Sequence, residues 1–208
     1  MVKIFSFDPG LAHGAMLLCE WDLRPDAMIL SNWGITYQYS KKQKNNLSMK
    51  SSSTELFHFF RNLRVEMLKQ AGNLGGGTLT GYNIVSDFDM TSVHWHTRKQ
   101  QIVKLAQLMG YLQRGFHEMG AITGTITPSQ IRRWLLLKPS AGKEEVHQAF
   151  NEWMGSAAFI DDALPSAYHL INNNKSDQKD RDLLDCLVLN TFAAWVHRSK
   201  LINSQKII

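Results

Sequence analysis

The first fourteen residues, Met1-Val2-Lys3-Ile4-Phe5-Ser6-Phe7-Asp8-Pro9-Gly10-Leu11-Ala12-His13-Gly14, constrain the fold more than any other stretch. Val2, Ile4 and Ser6 fall on one side of a strand and Lys3, Phe5 and Phe7 on the other, so a mostly apolar strand inside a sheet covered on both faces is expected. The strand ends on Asp8. Pro9 and Gly10 then turn the chain, and a second apolar run from Ala15 to Trp21 follows. A carboxylate at such a rim has a fixed backbone and access to solvent. It serves either to shape the turn or to hold a metal ion.

A chain of 208 residues, 44% of them hydrophobic and including ten Phe and six Trp, has enough apolar material for one large domain. The expectation is a single domain over residues 1–208, since no linker divides the sequence. No apolar run approaches the roughly 20 residues that span a bilayer, and the N-terminus lacks the pattern of a signal peptide. A cytoplasmic protein without membrane contact is therefore expected. Cys19 and Cys186 are too few and too far apart for a disulfide framework and read as buried thiols. A formal charge of +5 favours a polyanionic partner where the cations cluster.

Ala27 to Tyr39 reads as a third strand, so the chain opens with an antiparallel meander. Lys41, Lys42, Lys44 and Lys50 then lie among Asn, Gln and Ser, in a loop that is either solvated or in contact with phosphates. A helix from Ser53 or Thr54 to Gln70 is expected from Leu56, Phe59, Phe60, Leu63 and Met67. Tyr82 to Met90 forms a fourth strand, with acids Asp87 and Asp89 at its end. The longest helix runs from Arg98 to Met119, and its Ile102, Leu105, Met109, Leu112 and Phe116 are expected to supply much of a homodimer contact or else to be buried within the monomer.

A fifth strand, Ala121 to Ile126, leads into a short helix with Pro128 in its first turn and Arg132 and Arg133 directed away from the core. Lys143 opens another helix that reaches about Trp153. A lysine there opposes the helix dipole, so it is either an indifferent surface residue or one placed for a ligand. Residues 155–181 read as irregular, with one short helical piece. The final helix, Asp182 to Ser199, carries Asp182 and Asp185 on one face of its first turns.

These elements fit an α/β fold with a central mixed five-stranded sheet and helices on both sides. In it the acids at the ends of the first and fourth strands and the pair on the last helix converge: Asp8, Asp87, Asp182 and Asp185. Ionised carboxylates so placed repel one another, and a divalent cation resolves the conflict. Oxygen ligands suit Mg²⁺ or Mn²⁺, and two ions about 4 Å apart support phosphodiester hydrolysis. The eight histidines form no metal-ligand spacing. His94 and His96, near the fourth strand, are read as surface residues or substrate contacts.

On these residues the chain resembles the RuvC-type Holliday-junction resolvases of the ribonuclease H-like superfamily. Phe7-Asp8-Pro9-Gly10 resembles the family's first-strand motif, and Asp182-Leu183-Leu184-Asp185-Cys186 its terminal-helix motif. Thr127-Pro128-Ser129-Gln130-Ile131-Arg132 and Gly142-Lys143-Glu144-Glu145-Val146 are similar to its link from a strand to basic, DNA-facing helices. The resemblance implies a homodimeric, Mg²⁺- or Mn²⁺-dependent endonuclease for four-way junctions, acting in DNA recombination and repair near the nucleoid or, for a viral protein, in the host cytoplasm. Metal would sit on Asp8, Asp87, Asp182 and Asp185, with Lys143 assisting catalysis and Lys41, Lys42, Lys44, Lys50, Arg132, Arg133 and Lys143 contacting DNA. Where the family usually carries a Glu at the end of the fourth strand this chain offers Asp87, with Asp89 of the same strand parity as the alternative. The other readings are a nuclease for forks, flaps or RNA-containing duplexes and a catalytically silent junction-binding protein.

Overall fold

In the computed structural model, the residues described are 1–9, 13–39, 53–72, 76–86, 99–173 and 178–205. The strands are β1 (Val2–Asp8), β2 (Gly14–Leu23), β3 (Met28–Tyr39), β4 (Tyr82–Ser86) and β5 (Ile122–Thr125). The helices are α1 (Ser53–Gln70), α2 (Lys99–Glu118), α3 (Pro128–Trp134), α4 (Lys143–Ser156), α5 (Ala163–Asn173) and α6 (Gln178–Gln205). The strands form one mixed sheet in the order β3-β2-β1-β4-β5. β1 pairs antiparallel with β2 and parallel with β4, and β4 pairs parallel with β5. This is the expected α/β arrangement.

Alternation along β1 divides the interior in two. Ile4 joins Leu17, Trp21, Phe150 and the apolar side of α6 on one face, whereas Phe5 and Phe7 join Leu63, Met67, Leu112 and Phe116 from α1 and α2 on the other. Cover on both faces explains why β1 carries large apolar residues at successive positions. β3 and β5 are the edge strands, and all four residues of β5 are exposed.

Asn190 in α6 fixes the helix to the sheet. Its Nδ2 donates to the Ile4 carbonyl over 2.8 Å and to Ser6 Oγ over 3.1 Å, and its Oδ1 accepts from Trp21 Nε1 over 2.8 Å. One turn earlier, the Cys186 thiol donates to the carbonyl of Ala15 over 3.1 Å, and Ala15 pairs with Asp8. Positions 182, 186 and 190 lie on one helix stripe, so these contacts carry Asp182 to the β1 terminus.

Two expectations change. α6 begins at Gln178, so Asp182 and Asp185 lie one turn inside the helix rather than at its start. The polar residues before Asp182 show no apolar periodicity, although Arg181 is tied to Glu144 of α4 at 3.3 Å. The one short helical piece expected within residues 155–181 is the eleven-residue helix α5, held by buried Leu164, Ala167, Tyr168 and Ile171. The expected dimer contact is also revised: Met109, Leu112 and Phe116 are buried in the chain's own core against α1, because α1 and β4 require that face. The side chains of Ile102 and Leu105, the start of the helix at Arg98, and the strand end at 87–90 lie outside the described residues.

Replacing Asn190 with Leu leaves Trp21 Nε1, Ser6 and the Ile4 carbonyl without this partner inside the core. The expected loss is about 2–3 kcal/mol of unfolding free energy, measured by urea denaturation. A loss no larger than that of an exposed substitution would show that the bridge contributes nothing to stability.

Candidate active site

Asp8 ends β1, and its backbone is held by the Asp8 to Ala15 pairing. The helix stripe set by Asn190 and Cys186 brings Asp182 and Asp185 to the same rim. One carboxylate oxygen from each of Asp8, Asp182 and Asp185 lies within 4.8 Å of the others. β4 reaches this rim too, since Ser86 pairs with Phe7. Asp87 and Asp89 follow Ser86 in the chain and lie outside the described residues, as do His94, His96 and the loop lysines Lys41, Lys42, Lys44 and Lys50.

Cations and imidazoles surround the acids. Lys143, the first residue of α4, forms a close ion pair with Asp185 and lies 3.7 Å from Asp8 Oδ2. A lysine that opposes its own helix dipole is thereby paired with two carboxylates. The acid group already holds one cation between Asp8 and Asp185. One turn along α4, His147 Nε2 donates to Asp185 Oδ1 over 2.9 Å, and His147 is buried. His13, just before β2, donates from Nδ1 to Asp182 Oδ2 over 2.8 Å. Asp182 is 1% exposed, so a carboxylate there requires such partners to stay ionised.

The histidines show no metal-ligand spacing in sequence, and the structure places His13 and His147 as hydrogen-bond partners of the acids, a role the sequence did not reveal. Their roles arise across the fold: His13 and Asp182 are 169 residues apart, and His147 and Asp185 are 38 apart. The local signal for His147 was its i+4 relation to Lys143, which puts both on one face of α4. Arg132 turns back rather than outward, donating from Nε to the Ala141 carbonyl over 2.9 Å, whereas Arg133 is exposed as expected. Arg132, Lys143 and Asp185 line a pocket with Ile131, Val146 and Leu189.

Burial works to raise the Asp185 carboxyl, but the hydrogen bond from His147 and the charge of Lys143 outweigh it and hold the group below the usual carboxylate range. The donor set fits a hard divalent cation. It consists of oxygens from three acids, two of them oriented by imidazole hydrogen bonds, in a place that a lysine ammonium already occupies in part.

No family model and no curated protein matches the chain in sequence. Solved structures do match in fold. The chain is similar to T. thermophilus RuvC in complex with Holliday junction substrate, with a TM-score of 0.58 at 13% identity, over 96% of this chain and 97% of that one. It is similar to the yeast mitochondrial Holliday junction resolvase Ydc2 with a TM-score of 0.59 at 10% identity, over 100% of this chain and 85% of that one. The fold is thus the ribonuclease H-like fold of these resolvases. Among the described residues no helix is long and apolar enough to cross a membrane.

The lowered Asp185 value has a consequence in the metal-free protein. A depressed carboxylate contributes stability that is present above its unfolded value of 3.8 and is lost as pH falls through the folded value. Asp185→Asn should therefore show a shallower fall in Tm on acidification below about pH 4 than the parent. Parallel acid limbs in the two proteins would show that the Asp185 charge adds no stability.

Proposed function

We propose that the chain is a metal-dependent endodeoxyribonuclease that resolves four-way DNA junctions, working as one domain and as a homodimer. The convergence of Asp8, Asp182 and Asp185 within 4.8 Å carries this reading, and the fold shared with solved resolvases supports it. Two Mg²⁺ or Mn²⁺ ions held by these acids and by Asp87 or Asp89 would supply an activated water and neutralise charge at the scissile phosphate.

The chain's own residues prepare that chemistry. His13 and His147 fix the rotamers of Asp182 and Asp185, so these carboxylates are oriented before any ligand arrives. Lys143 balances the acids in the resting protein and, on a flexible stem, turns to the phosphate when DNA is bound. Arg133, exposed on α3, and the lysines at 41, 42, 44 and 50 bind flanking phosphates. A dimer matches the symmetry of a four-way junction, with one site for each of two opposed strands.

Cleavage of four-way junctions, forks, flaps and linear duplex in Mg²⁺ and in Mn²⁺ tests the reading. Asp8→Asn, Asp182→Asn and Asp185→Asn should each remove cutting and spare junction binding, because ligand charge is lost while the basic surface remains. Equal cutting of junction and linear duplex, or full activity in all three variants, would refute it. Preference for forks or flaps would assign the same site to a different branched substrate, and sedimentation with and without junction decides the dimer.

Lys143→Ala should lower the single-turnover rate about 100-fold and weaken binding far less, since its contact strengthens as charge develops. Neutralising the loop lysines should instead weaken binding and flatten its salt dependence by roughly one unit of slope per lost phosphate contact. An unchanged salt slope would remove the loop from the DNA interface. An unchanged rate for Lys143→Ala would confine that lysine to balancing the acids.

A further inference from the structure

Leu136 has two features that the packing of the chain does not account for. It is 92% exposed, more than any other large apolar residue among those described. It also has φ of +58°, and it is the one non-glycine residue with positive φ among the described residues. A bulky side chain in this conformation is uncommon and strained. Leu136 stands at the end of α3, where the Leu137 N–H donates to the Arg132 carbonyl over 2.7 Å and the Leu136 N–H to the Arg133 carbonyl over 3.2 Å. That pair of bonds is a Schellman closure, whose left-handed position glycine usually fills. Glycine would end α3 with less strain, and burial does not explain leucine.

The support beneath Leu136 is rigid. Leu135 on one side is buried and Leu137 on the other packs against the core. The loop returns to its own start through Arg132 Nε and the Ala141 carbonyl, and the Ala141 N–H donates to the Lys138 carbonyl over 3.0 Å. The side chain is therefore held out from an anchored turn. Arg132, one turn before it, lines the same pocket as Lys143 and Asp185, so the helix that presents the turn borders the acid site.

Its surroundings are cationic. Arg133 and Lys138 are exposed on either side, while Glu144 is paired with Arg181 and Glu145 accepts from the Gly142 N–H. Exposed cations flanking one apolar side chain suit a ligand that has phosphates outside and apolar base faces within. A protein interface would bury those charges, and interface centres are depleted in lysine.

We propose that Leu136 is a wedge that enters the base stack of branched DNA beside the scissile phosphate, anchored by phosphate contacts from Arg133 and Lys138. This rests on the nuclease reading above. A junction opens stacked pairs at its centre, where a leucine inserts at lower unstacking cost than in continuous duplex. The strain held at position 136 is the structural counterpart of keeping the wedge presented before DNA arrives.

The test uses the full chain and four-way junctions that carry 2-aminopurine at successive positions around the branch point, without divalent metal so that no strand is cut. The wild-type protein should raise the fluorescence of one or two positions severalfold. Leu136→Gly and Leu136→Asn should still bind but lose that rise, and Leu136→Met should keep it. Leu136→Gly should also raise Tm by a few degrees, because it removes the strained residue, so loss of the signal cannot be put down to misfolding. An equal rise in wild type, Leu136→Gly and Leu136→Asn, or a wild-type protein that binds the junction without any rise, overturns the wedge and leaves the nuclease reading intact. Unchanged DNA behaviour with a changed mass in sedimentation overturns it in favour of a protein contact. A wild-type protein that does not bind branched DNA overturns both readings.

Discussion

The position of the acids depends on how α6 lies across β1 and β2, and one buried amide controls that. Asn190 spends its donors on the Ile4 carbonyl and Ser6 Oγ and its acceptor on Trp21 Nε1, all inside the core. Apolar contact alone would allow a helix to slide or rotate on a sheet by a fraction of a turn at small cost, because it is not directional. A buried amide loses its hydrogen bonds if the helix moves, and each loss is expensive. Cys186 on Ala15 adds a second fixed point on the same stripe, and Asp182 is the third position along it.

At the rim, the electrostatics follow from that register. Three carboxylates brought within 4.8 Å would be costly in isolation, and the fold surrounds them with Lys143, His147 and His13. Lys143 and His147 come from one face of α4, so a single helix supplies both the mobile cation and a fixed hydrogen bond. The lysine carries charge on a flexible stem, and the buried imidazole holds a rotamer. This division places positive charge against Asp8 and Asp185 and orients Asp185 by a buried hydrogen bond.

The same helix pair joins the acid site to the surface. α3 ends in the closure that exposes Leu136, and α4 begins with Lys143 only a short loop later. The Arg132 bond to the Ala141 carbonyl closes that loop at its base. The exposed turn and the lysine that balances the acids are thus joined by the Arg132 side-chain bond and by the Ala141 N–H bond to the Lys138 carbonyl.

Much of the architecture was legible because it rests on local periodicity. The alternation of Ile4 against Phe5 and Phe7, the meander of β1 to β3, and Pro128 opening α3 are short-range patterns that one strand or one turn expresses. Asp8 was legible because it ends a strand that the pattern marks, and Asp182 and Asp185 because they stand three apart on one face of a helix just ahead of an apolar run. An element with a polar flank was less so: α6 gains a turn from Gln178, because the residues before Asp182 carry no apolar spacing that sets its limit. Which apolar face meets which was not local information either, so Met109, Leu112 and Phe116 face α1 and the sheet rather than a second chain. The amino-acid sequence by itself determined the strands, the helices and the acids at the end of β1 and on one face of α6, since these follow from spacing along the chain. Only the tertiary structure decided that His13 meets Asp182 and that His147 and Lys143 meet Asp185, because a hydrogen bond across 169 or 38 residues depends on where α4 and α6 pack and leaves no periodic trace.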